Sequence, residues 1–239
     1  MTAPRARIGA RVVRLEEATS TNSLILDNED WLNEHGLVVT ARHQTAGRGR
    51  LGRRWASVPG AQLQFSVVVH WRGRAEALGL VSLAAVTPRL KWPNDVLLAG
   101  RKVCGVLIES KPGAGGLSRL VAGIGINVLG GAEDFPPELR PLLTTLAEQA
   151  GVAPDGETLM RQVLERLHAH LARLEQGNRA PMLSAWRARA DLAGRPVRIT
   201  AGNQVSEGRA AGIDDDGGLL VEGPDGSRQR HVSGEVQWL

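Results

Sequence analysis

The sequence predicts an α/β protein followed by a small β-barrel. Three observations carry that expectation. Residues 61–71 alternate Leu63, Phe65, Val67 and Val69 with Gln62, Gln64 and Ser66, the two-residue period of a strand. Met160, Val163, Leu164, Leu167, Leu171 and Leu174 then recur at three and four, the period of an amphipathic helix. After Gly194 the pattern returns to short strands broken by Gly- and Asp-rich turns.

In order, RVVRL (11–15) reads as a strand and TSTNSLILDNEDWLNEHG (19–36) as one helix, opened by capping residues and closed at Gly36. LVVTAR (37–42) reads as a strand. Residues 43–54, HQTAGRGRLGRR, have no apolar period and read as a loop. The strand 61–71 follows. Apolar runs at 96–98, 103–109 and 119–128 come next, the last two forming a hairpin around PGAGG (112–116). The long helix is succeeded by a second from Pro181, at a first-turn position, to about Ala190. PVRIT, a run to Ile213, GLLVE and RQRHV are then separated by DDDGG (214–218) and GPDG (223–226). Closely spaced short strands of this kind suggest a barrel. The boundary is set near Ala193, giving domains 1–192 and 193–239.

Composition excludes several classes. With 42% hydrophobic and 23% charged residues, the 239-residue chain is no disordered polymer. Its longest apolar run, Leu78–Val86, is far short of the ~20 residues a membrane helix needs. The Arg-bearing start has no apolar stretch of a secretory signal. The lone Cys104 excludes an internal disulfide and a cysteine-built zinc site, and a reducing cytoplasm is expected. Net charge is +4, and only Lys91, Lys102 and Lys111 among the 29 basic residues are lysines.

Two segments carry the strongest chemical signals. Arg42, Arg48, Arg50, Arg53 and Arg54 give five cations without an acid between them, while Gly47, Gly49 and Gly52 let the backbone bend close to a ligand. The segment is also a G-x-G-x-x-G match. A dinucleotide fingerprint needs a helix directly afterwards, and RRWASVPGAQ supplies none, so that reading is rejected. A solvated charge run and a nucleic-acid arm are the ordinary alternatives. Trp55 stands against both, placed to stack on a base or close a pocket. In Lys91-Trp92-Pro93-Asn94-Asp95 a lysine suited to phosphate and a carboxylate suited to Mg²⁺ flank a turn, although Asn-Asp turn chemistry alone explains such a pentapeptide in isolation. Lys102 with Gly105, and Gly123-Ile124-Gly125-Ile126-Asn127, mark strands that a ligand approaches closely, or else a tightly packed sheet. The six histidines show no ligand spacing.

In this order, Ser20-Thr21-Asn22, Gln44, Gly47-Arg48-Gly49-Arg50, Trp55, Lys91-Trp92-Pro93-Asn94-Asp95, Arg101-Lys102-Val103-Cys104-Gly105 and Gly123–Asn127 resemble the biotin protein ligase family. The resemblance runs through the catalytic region and more weakly into the C-terminal part. It implies a mixed-sheet biotin/lipoate ligase-like catalytic domain with a C-terminal SH3-like barrel. It implies activation of biotin by MgATP to biotinyl-5′-AMP, then transfer to a lysine of a biotin carboxyl carrier domain. Ser20, Thr21, Asn22 and Gln44 are expected to hold the biotin rings. Arg48, Gly49 and Arg50 are expected to close over biotin and phosphates. Arg53, Trp55, Lys91, Asn94 and Asn127 would serve ATP, and Asp95 the metal. Lys102 would bridge the biotin carboxylate and the α-phosphate, which makes Lys102, Arg50 and Asp95 the catalytic set.

Only 19 residues precede Ser20, so a winged helix and DNA binding are not expected; nor is a membrane partner, while a homodimer through the sheet is compatible with the resemblance. The stretch VSLAAVTPR (81–89) is shorter than the long helix and strand entry the family places there, which raises a catalytically dead member as one alternative. A lipoate-type ligase and a non-catalytic nucleic-acid-binding protein are the others.

Overall fold

The computed structural model describes residues 6–72, 88–190, 192 and 194–239. The short stretch 81–89 noted above falls outside these residues up to position 87. The first part holds β1 (Val12–Ala18), α1 (Thr21–Leu26), α2 (Glu29–Leu32), β2 (Val38–Gln44), β3 (Gln62–Trp71), β4 (Arg89–Lys91), β5 (Asp95–Leu98), β6 (Arg101–Pro112) and β7 (Ser118–Asn127). Three helices follow, α3 (Leu146–Ala150), α4 (Gly156–Glu175) and α5 (Ala180–Arg189). The chain ends with β8 (Pro196–Ala201), β9 (Gln204–Ile213), β10 (Leu219–Glu222), β11 (Arg228–His231) and β12 (Glu235–Trp238).

The first seven strands form one mixed sheet in the order β1-β2-β3-β7-β6-β5-β4. Only β1 and β2 run parallel; the other neighbours are antiparallel, and β6–β7 is the expected hairpin. The last five strands form an antiparallel sheet, β11-β10-β9-β8-β12. The α/β class and the all-β C-terminal part expected from sequence are both present.

Helices cover the mixed sheet on both faces. Phe65, Val67 and Val69 of β3 share the main core with Leu159, Met160, Val163, Leu164 and Leu171, the buried stripe of α4. Asp155 starts α4, its carboxylate accepting the Thr158 N–H at 2.8 Å. On the opposite face Val68 packs with Ile25, Leu32, Leu37, Val39 and Val121 beneath α1 and α2. The core continues through Leu90, Trp92 and Trp186 into Val197, Ile199, Leu219 and Val236 of the five-stranded sheet. Trp92 Nε1 donates to the Gly217 carbonyl at 3.0 Å, so the β4–β5 turn is tied to the C-terminal part.

One expectation needs correction. The segment 19–36 is not one helix. Asn28 leaves helical geometry (φ −113°, ψ 104°), and its side chain accepts the Trp31 N–H at 3.0 Å, so it starts α2 rather than continuing α1. Lys111 Nζ bonds the Leu26 carbonyl near the end of α1. β3 is the strand that the alternation predicts, and both of its faces are buried. Gln62, Gln64 and Ser66 are buried too, Ser66 completely. Their face lies under α1, where polar side chains must find partners inside the protein.

Replacing the Asn28 cap should therefore loosen α2 without touching the main core. Asn28→Ala should lower stability by about 1 kcal/mol in urea unfolding, with an unchanged m-value.

Candidate active site

The floor of the site is a network of uncharged polar groups. Ser20 caps α1, and Thr21 and Asn22 begin it, all three nearly fully buried. Gln44, at the end of β2, accepts the Thr21 N–H at 2.8 Å through Oε1. Gln44 Nε2 donates to Gln64 Oε1 at 2.6 Å, and Gln64 Nε2 to Ser57 Oγ at 2.8 Å. Ser66 Oγ donates to Asn22 Oδ1 at 2.6 Å, and Asn22 Nδ2 donates to Glu109 Oε2 at 2.9 Å.

The glycine-arginine segment forms a tight turn over this floor. Trp55 N–H donates to the Gly47 carbonyl at 2.9 Å, and Gly49 N–H to the Arg53 carbonyl at 2.7 Å. A Cβ on Gly47 would lie 2.8 Å from the Trp55 carbonyl oxygen, so that closure requires glycine. The cations are paired. Arg48 donates to Glu109 Oε1 at 2.6 Å and to Ser23 Oγ at 3.2 Å. Arg50 reaches the Gly234 carbonyl at 3.4 Å, and Arg53 pairs with Glu235. The loop thus spans from β6 to the C-terminal sheet.

Trp55 forms one wall. Cβ atoms on Gly105 and Gly125 would lie 3.2 Å and 2.5 Å from its ring, so the indole lies directly on bare backbone of β6 and β7. Lys102 Nζ sits 5.5 Å from the ring centroid and 2.6 Å from Asp95 Oδ1. Asn94 clamps its turn to β6, donating to the Val106 carbonyl at 2.9 Å while its own carbonyl accepts the Val106 N–H at 3.1 Å.

Ser20, Thr21, Asn22, Gln44, Arg48, Gly49, Arg50, Arg53, Trp55, Lys91, Asn94, Asp95 and Lys102 line one cavity of ≈ 160 Å³. Asn127 does not join them. Its amide donates to the Thr144 carbonyl at 3.0 Å and to the Lys102 carbonyl at 3.4 Å and accepts from Gln62 Nε2 at 2.8 Å, tying β7 to the segment before α3. The sequence reading passed over Gln64, Ser66, Glu109 and the Gly234–Val236 wall. Gln64 and Ser66 were legible as polar residues in a hydrophobic strand, and Glu109 as the acid closing an apolar run; the C-terminal wall left no local signal.

Six cationic side chains against two carboxylates, Asp95 and Glu235, line the cavity, which suits a polyanion beside an uncharged polar group. Burial lowers the Arg50 guanidinium from its ordinary value, opposed by the charge of Asp95. Burial pushes the Cys104 thiol up to about 12, so it is no thiolate nucleophile. No cluster of three or more His, Cys, Asp or Glu side chains with metal-site spacing occurs among the described residues.

Comparison with known proteins places this geometry. Residues 14–127 match the Biotin/lipoate A/B protein ligase family, and residues 193–238 the Biotin protein ligase C terminal domain. The chain is 35% identical over 240 residues to the biotin--[acetyl-CoA-carboxylase] ligase of Paracoccus denitrificans, covering 93% of this chain and 98% of that one. It is 35% identical over 243 residues to the bifunctional ligase/repressor BirA of Escherichia coli, covering 95% and 74%. The fold resembles the biotin protein ligase of Aquifex aeolicus in complex with biotin and ATP, with a TM-score of 0.80 at 28% identity over 96% of this chain and 99% of that one.

The Arg53–Glu235 tie gives an acid-sensitive contribution to stability. Arg53 holds the Glu235 carboxyl below its usual range. The contribution is complete above the ordinary carboxylate value and lost as pH falls through the lowered one. Glu235→Gln should reduce stability at pH 7 by under about 1 kcal/mol, since the pair is exposed. In parallel pH titrations of stability, the wild type and the variant should converge as acid removes the charge.

Proposed function

Given that this chain belongs to the biotin/lipoate A/B protein ligase family and is a biotin ligase, we propose that its cavity carries two successive reactions. In the first, a carboxylate oxygen of biotin attacks the α-phosphorus of ATP. The bond to the β-phosphate oxygen breaks, pyrophosphate leaves, and biotinyl-5′-AMP forms. In the second, the neutral amine of a carrier-domain lysine attacks the acyl carbon, the acyl bond to the phosphate oxygen breaks, AMP departs, and the amine gives up a proton to solvent.

The observation carrying this reading is the juxtaposition of a cationic loop and wall with a neutral polar floor. Joining two anions needs charge neutralisation first. Arg48, Arg50 and Lys102 would surround the reacting carboxylate and α-phosphate and stabilise charge developing in the transition state. Ser20, Thr21, Asn22 and Gln44 would hold the uncharged ureido ring, Gly49 letting the loop backbone approach it. Arg53, Trp55, Lys91 and Asn94 would line the nucleotide side. Closure of residues 47–55 would keep water from the mixed anhydride. No protein nucleophile is required.

Asp95, held by Lys102, belongs to no group of three or more potential metal ligands among the described residues, and fits Mg²⁺ carried mainly by phosphate and water oxygens rather than by a protein-built cage. Bound there, Mg²⁺ would neutralise phosphate charge. A carrier domain as acceptor follows from the carboxylase ligase relatives. The amide-rich floor favours a ureido ring over the apolar dithiolane of lipoate. Arg48, Arg50 and Arg53 line a cavity and engage Glu109, Gly234 and Glu235, which favours a small anionic ligand over a nucleic acid.

Biotin-dependent ATP–pyrophosphate exchange tests the first step; exchange with biotin and none with lipoate is expected, and no exchange with biotin would refute it. Lys102→Met should reduce exchange at least about a hundredfold. Arg50→Gly should loosen retention of the adenylate more than its formation. With biotin and ATP it should label an unrelated lysine-rich protein more than wild type does.

A further inference from the structure

Glu109 lies on β6 with its side chain 20% exposed, and outside the residues that line the cavity. Its two oxygens hold two different parts of the site. Oε1 accepts from Arg48 at 2.6 Å and Oε2 from Asn22 Nδ2 at 2.9 Å. A carboxylate paired in this way is an acceptor only, so it fixes which end of the Asn22 amide faces it.

That choice propagates through the floor. With its nitrogen on Glu109 and on the Leu107 carbonyl at 3.3 Å, Asn22 turns Oδ1 toward Ser66. Ser66 spends its single proton on Asn22 Oδ1 at 2.6 Å, so the 2.6 Å contact between Ser66 and Thr21 must be donated by Thr21. The Thr21 hydroxyl is thereby withdrawn from Gln44 Oε1, 3.2 Å away, which the Thr21 backbone N–H already serves at 2.8 Å. Reversing the Asn22 amide would set its oxygen against the Glu109 carboxylate. Asn22 Oδ1 also lies over the cavity wall, because a Cβ on Gly123 would come within 2.4 Å of it.

We infer that Glu109 is a positioning residue for substrate selection: by holding the Asn22 amide nitrogen it turns the Asn22 carbonyl oxygen to the cavity, where it accepts a ring N–H of the ligand. Ser66 uses one acceptor site of that oxygen and leaves the other for the ligand. The inference rests on the biotin reading above and adds a residue that touches no substrate. Glutamine at position 109 would satisfy Asn22 in either orientation and would forfeit the ion pair with Arg48.

The test is calorimetric binding of biotin together with KM and kcat in biotin-dependent exchange. Glu109→Gln should weaken biotin binding and raise KM for biotin about tenfold. The exchanged pair Asn22→Asp with Glu109→Gln restores a fixed acceptor beside Gly123 and should recover at least about threefold of that loss, which a purely packing role would not allow. On the wild type, a biotin analogue with a ring oxygen replacing one ureido N–H should bind about tenfold more weakly in one regioisomer than in the other. Biotin affinity of Glu109→Gln within about twofold of wild type, no recovery in the double variant, or equal binding of the two regioisomers would each overturn the role of Glu109. Failure of the wild type to bind biotin would overturn the biotin reading itself, and this inference with it.

Discussion

The site depends on burying polar side chains under α1 without leaving any of them unpaired. Gln64 and Ser66 have almost no contact with solvent, and an unsatisfied buried amide or hydroxyl costs about 1–3 kcal/mol. Their partners come from other elements, Thr21 and Asn22 at the start of α1 and Gln44 at the end of β2. The position of α1 is therefore set by hydrogen-bond satisfaction as much as by the small apolar cluster of Ile25, Leu32 and Val68. A floor ordered before any ligand arrives is preorganised, and little side-chain entropy remains to be lost on binding.

The same economy governs the cations. Arg48, Arg53 and Lys102 each sit beside a carboxylate, Glu109, Glu235 and Asp95 in turn. These pairs hold the loop and wall in register while the cavity stays cationic overall. An anionic ligand would exchange partners with them instead of meeting bare charges. Because Glu235 and Gly234 belong to the C-terminal part, and Trp92 is bonded to Gly217, the five-stranded sheet is a structural component of the cavity rather than an appendage.

Much of this was legible in the sequence wherever a local period or a compact motif carried it. The β3 alternation, the α4 stripe, the β6–β7 hairpin and the punctuated C-terminal strands all follow from neighbours along the chain. The motif residues that line the cavity come from the start of α1, the end of β2 and the loop after it, the β4–β5 turn, and the strands β6 and β7. What stayed hidden depends on distant partners. Nothing local shows that Asn127 ties β7 to the segment before α3; its contacts with Gln62 and Thr144 do. The break between α1 and α2 turned on whether Asn28 would bond its own backbone. The burial of Gln64 and Ser66 also stayed hidden, because the helix that covers them lies some forty residues earlier.

The scarcity of amines has a chemical consequence. Lys91 and Lys102 stand in the cavity wall, and Lys111 bonds the Leu26 carbonyl; none of the three is fully exposed. The remaining basic side chains are guanidinium groups, which stay protonated and are poor acyl acceptors. An activated acyl group formed in this cavity and escaping from it would meet a protein surface with almost no side-chain amine to capture it. The enzyme would then be spared as the target of its own product, and escaped acyl groups would be left to water and to the lysines of other proteins.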